Sequence, residues 1–213
     1  MSAPKKRDPR RRVPDLAADL RASTIVEGEP VEDVRISSGN FSGQTIREFA
    51  VRRSVIEGVS FAQANLRSAR LRDVRFVRCD LSNAVMRGVE AVRVEFVDCR
   101  LMGANASECR MEDVLLERCD ARYGQFHDGA LRHSEFIDTQ MQEVEMRGVH
   151  LEHSIWVRSS LSRGDLRGAR LAEADLRGAE IDGLQVEAAD VFGAIVSPPQ
   201  AMELARLLGL VIR

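Results

Sequence analysis

The sequence lacks the signatures of several common protein classes. The 213-residue chain has no run of about 18 or more apolar residues, so no membrane-spanning helix is expected. Its four cysteines include no C-x2-C pair, so no zinc site is expected. No nucleophile–base motif, phosphate-binding glycine loop or pair of catalytic carboxylates stands out. These absences favour a non-catalytic protein that needs no metal or cofactor.

Charge of one sign is also lacking overall, but the charge is unevenly distributed. The net charge of −2 divides into +5 over residues 1–13 and −7 over the other 200 residues. No apolar segment follows this basic stretch, so it is not expected to be a signal peptide, and the cytoplasm is the expected compartment. We expect a disordered tail that contacts nucleic acid or lipid, or that only solubilises the chain. Elsewhere neither nucleic acid nor a membrane is an expected partner.

A five-residue repeat dominates the rest of the chain. An apolar side chain occupies every fifth residue from Ile36 to Val196, at 33 consecutive positions. Two residues earlier, 30 of 33 positions hold Gly, Ala, Ser, Thr, Cys or Val. Five residues advance about 140° around an α-helix, so the apolar positions would not form a stripe. Side chains of a strand alternate between its two sides, so residues five apart would point in opposite directions. A bend between them must turn the chain so that both point inward. The pattern therefore predicts short strands joined by tight bends in a solenoid.

Charged residues that recur every 20 residues indicate the size of one coil. The series Arg78, Asp98, Arg118, Asp138 and Arg158 alternates in sign, as expected if these side chains stack above one another. Four bends of five residues then make a coil, and about eight coils span residues 34–197.

All four cysteines occupy the small-residue positions of the repeat. They are Cys79, Cys99, Cys109 and Cys119. Buried, reduced thiols are therefore expected. A disulfide between stacked coils, such as Cys79 with Cys99, is the alternative that a cytosolic location disfavours.

The two ends of the solenoid differ from its repeat and are predicted to be caps. Ser197, followed by two prolines, predicts a helix over residues 199–208 that Gly209 ends. Residues 14–22 are expected to form one or two helical turns. The predicted organisation is a basic tail (1–13), an N-terminal cap or lead-in (14–33), the repeat solenoid (34–197), and a C-terminal helix with a dimerisation tail (198–213).

Several segments resemble the pentapeptide repeat family, in which a small residue, Asp or Asn, Leu or Phe and a polar residue recur. The best matches are residues 64–68 (ANLRS), 164–168 (GDLRG) and 174–178 (ADLRG). The resemblance implies an all-β solenoid, namely a right-handed quadrilateral β-helix, here with a short C-terminal α-helix.

Within that family, an uninterrupted rod with a C-terminal helix is most similar to the gyrase-interacting, quinolone-resistance branch of MfpA type. Members of that branch dimerise through the C-terminal end, and their rods are proposed to imitate DNA. The resemblance thus implies DNA gyrase as a partner and a homodimer. The residues expected at the dimer contact are Met202, Leu204, Leu207, Leu208, Leu210 and Ile212.

The charge on the four sides of the rod argues against DNA mimicry. We name these faces by their central residues: face A (Ile36, Ile56, Phe76 and every twentieth residue onward), face B (Phe41, Phe61), face C (Ile46, Leu66) and face D (Val51, Leu71). Their outward residues sum to −1, −2, −1 and +1 respectively. Duplex DNA carries one negative charge per about 1.7 Å of its axis, so a mimic needs a strongly acidic surface.

Face A carries the candidate partner-binding site. Its outward apolar residues are Val77, Val97, Ile137 and Val157 in one position of the repeat, and Leu115 and Ile155 in another. An exposed apolar stripe suggests a protein partner, although β-branched residues also suit strands in general. A non-catalytic interaction scaffold is the first functional hypothesis. The alternative is a gyrase or topoisomerase modulator that protects against quinolones or gyrase toxins.

Two further clusters are weaker candidates for sites. Face C carries an arginine ladder that could bind phosphate, although a solvated and internally paired face is favoured. Face D carries His133, His150 and His153, for which exposed histidines are favoured over a metal site.

Overall fold

The computed structural model describes residues 11–26, 29–208 and 210. Within these residues, thirteen strands, one α-helix and one 3-10 turn follow one another. The strands are β1 (Arg21–Ala22), β2 (Val31–Glu32), β3 (Val34–Ile36), β4 (Gly39–Asn40), β5 (Ala50–Glu57), β6 (Val59–Ser60), β7 (Arg70–Val77), β8 (Glu90–Val97), β9 (Arg110–Glu117), β10 (Ala130–Arg132), β11 (Glu135–Ile137), β12 (Ile155–Ser160) and β13 (Asp175–Glu180). The helix α1 (Pro198–Ala205) leads into the 3-10 turn Arg206–Leu208.

Successive coils stack in parallel with a shift of 20 residues. One sheet has the order β1-β3-β5-β7-β8-β9-β11-β12-β13, with β2 beside β5 and β10 beside β9, while β4 pairs with β6. Its register places Val51 beside Leu71 and Leu71 beside Ala91. The sheet covers faces D and A. On faces B and C, isolated bridges with the same 20-residue step, such as Asn65 with Val85, link each coil to the next. The predicted fold is confirmed: a parallel β-solenoid of about eight turns with a short C-terminal helix.

The corners are made by a residue with positive φ at every fifth position from Gly43 to Glu173. Such residues include Asp73 (φ 57°), Arg93 (φ 53°) and Asp113 (φ 58°). A residue with a Cβ pays about 1–2 kcal/mol in this conformation, least when it is Asp or Asn. The corner therefore turns the chain so that the next central residue again points inward, as the repeat requires.

Ion pairs between neighbouring coils join these corner residues. Arg118 Nε lies 2.7 Å from Asp98 Oδ1, and Arg158 Nε lies 2.6 Å from Asp138 Oδ1. The predicted stacking of opposite charges at the 20-residue step is thus confirmed. Each exposed pair contributes no more than about 1 kcal/mol.

Large central side chains fill the interior. The rings of Phe76 and Phe96 stack with centroids 5.0 Å apart, and those of Phe136 and Trp156 with centroids 3.9 Å apart. Stacked aromatic pairs add to the stabilisation that burial itself supplies. The central residues thus form one continuous core along the rod.

One column of small residues also satisfies backbone groups at the corners. Its members are Cys79, Cys99, Cys119, Thr139 and Ser159, one coil apart. Thr139 Oγ1 donates towards the carbonyl oxygens of Ile137 and Leu116, at 3.0 and 2.9 Å. The prediction of buried, free thiols is confirmed for all four cysteines. Burial raises the pKa of the Cys109 thiol to about 12.

The C-terminal helix caps the last coil through a glutamine. Gln200 is buried, and its Nε2 donates to the carbonyl oxygens of Leu176 and Ala179, both at 2.7 Å. Its Oε1 accepts from the Ser197 amide at 2.8 Å. The helix predicted over residues 199–208 is thus an α-helix followed by a 3-10 turn, and Gly209 lies outside the described residues. None of the described helices has the length and apolar character of a membrane span.

The predicted helical turns over residues 14–22 are wrong. This segment is extended along the outside of the rod and ends in β1, which pairs with β3. The Asp73 carboxylate accepts a hydrogen bond from the Asp15 amide, and this contact favours the extended path over local helix formation. Arg11 and Arg12, which belong to the tail expected to be disordered, also contact the rod. The disorder expected for residues 1–10 lies outside the described part of the chain.

We expect Gln200→Glu to destabilise the rod. The substitution keeps the shape of the side chain but removes the Nε2 donor, which leaves two carbonyl oxygens of the last coil without their partner. The free energy of unfolding, measured in urea, should fall by about 1–3 kcal/mol. Gln185→Glu, at an exposed position, is the matched control. Equal stability of the two variants would show that the cap does not depend on this donor.

Candidate functional site

The outward side chains of face A form two columns along the rod. In the first column, the strand register places Val77 beside Val97 and Ile137 beside Val157. Glu117 lies between Val97 and Ile137. The fold thus brings the predicted apolar stripe together, but a half-buried glutamate divides it.

The second column contains both charged and apolar side chains. Arg75, Glu95, Leu115, Glu135 and Ile155 follow one another at one residue per coil. Arg75 Nη2 lies 2.6 Å from Glu95 Oε2. Leu115 was expected to be exposed, yet it is buried, whereas Ile155 is half-buried.

Leu115 is buried where the N-terminal segment crosses face A. We call residues 11–20 the N-terminal arm. Arg11 Nη2 donates to Glu95 Oε1 at 2.9 Å, and Arg11 Nε lies 3.5 Å from Glu135 Oε2. Arg11 therefore bridges the two glutamates that flank Leu115. The side chains of Arg11 and Glu95 are only 6% and 5% exposed, so this contact is far better shielded from solvent than the corner ion pairs.

Two further contacts fasten the arm to the corner between faces D and A. Asp113 accepts from the Arg12 amide at 3.0 Å and from Arg12 Nε at 2.7 Å. Asp73 accepts from the Asp15 amide at 2.9 Å, while Arg93 Nε binds the same carboxylate at 2.6 Å. The arm is held by its backbone as well as by its side chains.

The apolar part of the arm lies over the first coils of face A. Leu16 and Leu20 line a cleft together with Val55 and Val77. The contacts of the described arm reach as far as the coil of Glu135. Part of the stripe predicted to bind a partner is therefore covered by the chain itself.

The C-terminal end presents a second apolar surface. Met202, Leu207 and Leu210 are 52%, 41% and 55% exposed. Leu204 instead packs against the last coil, and it lines a groove of about 270 Å³ with Val191 and Val196. Of the other residues expected at the dimer contact, Ile212 and the side chain of Leu208 lie outside the described residues.

Sequence reasoning missed the most exposed apolar residue at this end. Phe192, on the last coil, is 84% exposed, and the neighbouring Ile195 is 43% exposed. The signal was present in the repeat, because Phe192 directly follows a central residue and must therefore point outward. Phe192 extends the apolar surface of this end beyond the helix.

Members of the two weaker candidate clusters pair with neighbouring groups. His133 and His153 stack with ring centroids 4.8 Å apart, and His153 Nδ1 lies 3.2 Å from Glu173 Oε2. The described residues contain no group of three or more side chains arranged to hold a metal ion. On face C, Arg147 and Arg167 both bind Asp165, at 3.0 and 2.7 Å. Hydrogen bonding from Arg167 lowers the pKa of Asp165.

The geometry defines a solenoid repeat protein whose surfaces are straight columns of side chains. Family models for the pentapeptide repeat region match residues 69–146, and models for pentapeptide repeats match residues 145–183 and 157–190. The chain belongs to the pentapeptide repeat family. No curated protein sequence matches it significantly.

Several solved structures are similar to this chain. HetL, a pentapeptide repeat protein from the cyanobacterium Nostoc involved in heterocyst differentiation regulation, is 16% identical over 79% of this chain and 86% of HetL, with a TM-score of 0.36. Full-length QnrB1, a plasmid-mediated fluoroquinolone resistance protein, is 16% identical over 83% of this chain and 100% of QnrB1, with a TM-score of 0.32. A pentapeptide repeat protein from the thylakoid lumen of Arabidopsis thaliana is 11% identical over 78% of each chain, with a TM-score of 0.31.

The contact between Asp73 and the arm predicts a dependence of stability on pH. Burial raises the pKa of Asp73, but hydrogen bonds from Arg93 and from the Asp15 amide outweigh it, so this pKa lies below its usual value. A lowered folded-state pKa contributes stability above the unfolded-state value, about 3.9, and this contribution is lost as the pH falls through the folded-state value.

We therefore expect Asp73→Asn to be less stable than the wild type by about 1.5–3 kcal/mol at pH 7. The difference should narrow as the pH falls below about 4, because the carboxylate of the unfolded chain then takes up a proton while that of the folded chain stays ionised down to its lowered pKa. Urea unfolding at a series of pH values measures both quantities. A difference that stays constant down to pH 2 would contradict a role for the ionised carboxylate.

Proposed function

We propose that this chain is a non-catalytic, protein-binding scaffold that forms a homodimer through its C-terminal end. The observation that carries the proposal is the apolar surface at that end. Phe192, Met202, Leu207 and Leu210 are exposed on the last coil and the terminal helix. Apolar side chains clustered at one end of a rod favour an interface with another protein, and an end-to-end dimer would bury them in both copies.

Face A is the proposed surface for a different partner. Val97, Ile137 and Val157 are half-buried and aligned along the rod. A groove-filling or strand-like partner segment would cover them without any change in the backbone of the coils. Burial of the cysteines in a free state is compatible with the proposed cytoplasmic location.

The exposed end of the rod leads to a prediction about oligomeric state. The double variant Phe192→Ser, Leu207→Ser should convert a dimer into a monomer at micromolar concentration, because it removes the most exposed aromatic ring and an apolar side chain of the terminal groove. Analytical ultracentrifugation measures the mass in solution. Tyr123→Ser is the matched control, because Tyr123 is 50% exposed but lies on face B. A wild-type chain that sediments as a monomer would refute the proposed dimer.

The face A stripe leads to a prediction about partner capture. Replacement of Val97, Ile137 and Val157 by Lys should abolish capture of the partner from extracts of the native host, since three charges would meet an apolar interface. Val92→Lys, at a half-buried valine on face D, is the control. Pull-down followed by mass spectrometry gives the measurement. Identical sets of captured proteins for the triple variant and the control would exclude face A as the binding surface.

A gyrase modulator is the second candidate function. An uninterrupted rod followed by α1 is the observation that favours it, since this is the layout of the gyrase-interacting branch that the sequence resembles. The ion pairs at the corners of the rod argue against DNA mimicry, because a mimic needs a surface with negative charge only. DNA supercoiling by gyrase, with and without a quinolone, separates the two functions. A chain that neither inhibits nor protects the enzyme at micromolar concentration is not a gyrase modulator.

A further inference from the structure

The N-terminal arm and the carboxylates beneath it have matching spacings. Arg12 binds Asp113 and the Asp15 amide binds Asp73, so three residues of the arm span two coils. Coils at strand spacing lie about 4.8 Å apart, and an extended chain rises about 3.3 Å per residue, so both distances are about 10 Å. Pro14 supports this extended conformation, because it lacks an N–H and restricts the residue before it.

The carboxylates form a built site rather than a dispersed acidic surface. We call Asp73, Glu95, Asp113 and Glu135 the carboxylate track. The side chains of Glu95 and Asp113 are only 5% and 4% exposed. Buried carboxylates require charged or hydrogen-bonding partners. Among the described residues, Arg12 is the one ion-pair partner of Asp113, and Arg11 is the one ion-pair partner of Glu135.

The arm fits this track incompletely. The Nε of Arg11 is buried and has no hydrogen-bond partner among the described atoms, because Glu135 Oε2 is 3.5 Å away. Val13, between the arginines and Pro14, is 65% exposed and contributes little burial. A segment that places its guanidinium group closer to Glu135 would form the hydrogen bond that the arm does not form.

We propose that the carboxylate track is a docking site for an extended, arginine-rich segment of a partner protein, and that the N-terminal arm is its built-in competitor. The proposal rests on the proposed function in taking the partner to be a protein, but it is independent of the apolar stripe. Arginine is favoured over lysine because its planar group binds two carboxylates at once, as Arg11 does between Glu95 and Glu135. Release of the arm exposes the track.

A peptide of residues 8–20, labelled at its N-terminus with fluorescein, tests the proposal on the full-length protein. Fluorescence anisotropy gives its affinity for the wild type and for Arg11→Ala, Arg12→Ala, whose own arm is weakened. The weakened-arm variant should bind the peptide at least about tenfold more tightly, because the wild-type arm competes at a high effective concentration. Adding Glu95→Gln and Asp113→Asn to that variant should abolish binding.

Two controls keep the outcomes distinct. A peptide with Arg11 and Arg12 replaced by lysine keeps the charge, and it should bind several-fold more weakly if bidentate contacts matter. Arg158→Ala removes an exposed arginine of face A that lies away from the track, and it should bind the peptide as the wild type does. Equal affinity of the weakened-arm variant and the wild type, or no binding by either, would overturn the proposal.

The peptide titration separates this proposal from the proposed function, and ultracentrifugation separates it from an exchange of arms between copies. Peptide binding does not require the dimer or an identified partner. A failure to bind the peptide would therefore leave the proposed dimer and the proposed protein-binding function untouched. If the arm instead occupied the track of a second copy, Arg11→Ala, Arg12→Ala would lower the mass in ultracentrifugation. That result would overturn the assignment of the arm as an intramolecular competitor.

Discussion

Hydrogen bonds between backbone groups one coil apart hold the rod together. The amide of Phe61 donates to the carbonyl oxygen of Asp80 at 2.7 Å, and the amide of Leu66 donates to that of Val85 at 2.8 Å. These bonds form on every face only if all coils have the same length. Between residues 43 and 173, a residue with positive φ at each corner keeps that length constant, because it turns the chain after every five residues. An extra residue in one coil shifts its pairing with the neighbouring coil, as the local offset between Val157 and Gly178 illustrates.

This constraint moves functional variation to the outside and the ends of the molecule. Central and small positions are committed to the core and to backbone pairing, as the Thr139 hydroxyl illustrates. Outward positions repeat once per coil, so any chemistry placed there forms a straight column with a spacing of about 4.8 Å. Arg75, Glu95, Leu115 and Glu135 form such a column. Open ends must be closed, which Gln200 does at one end by donating to two free carbonyl oxygens.

Features that depend on spacing along the chain could be predicted from the sequence, whereas contacts between distant segments could not. The central residues, the coil length, the corner charge pairs and the terminal helix were predictable, because each depends on spacing along the chain. The N-terminal arm was not, because its contacts join residues 84 and 101 positions apart, Arg11 with Glu95 and Arg12 with Asp113. The basic stretch was visible in the sequence, but nothing in the repeat indicated which carboxylates it meets. Leu115 was placed outside for the same reason.

The sequence by itself determined the architecture of this protein, because a five-residue pattern without interruption is compatible with one way of closing a coil. It also determined which side chains point outward, since the direction of each follows from its position in the repeat. Only the tertiary structure decided which outward side chains are accessible. Extended segments outside the repeat have no periodic signal, and their path depends on carboxylates, such as Asp73 and Asp113, that folding brings into line.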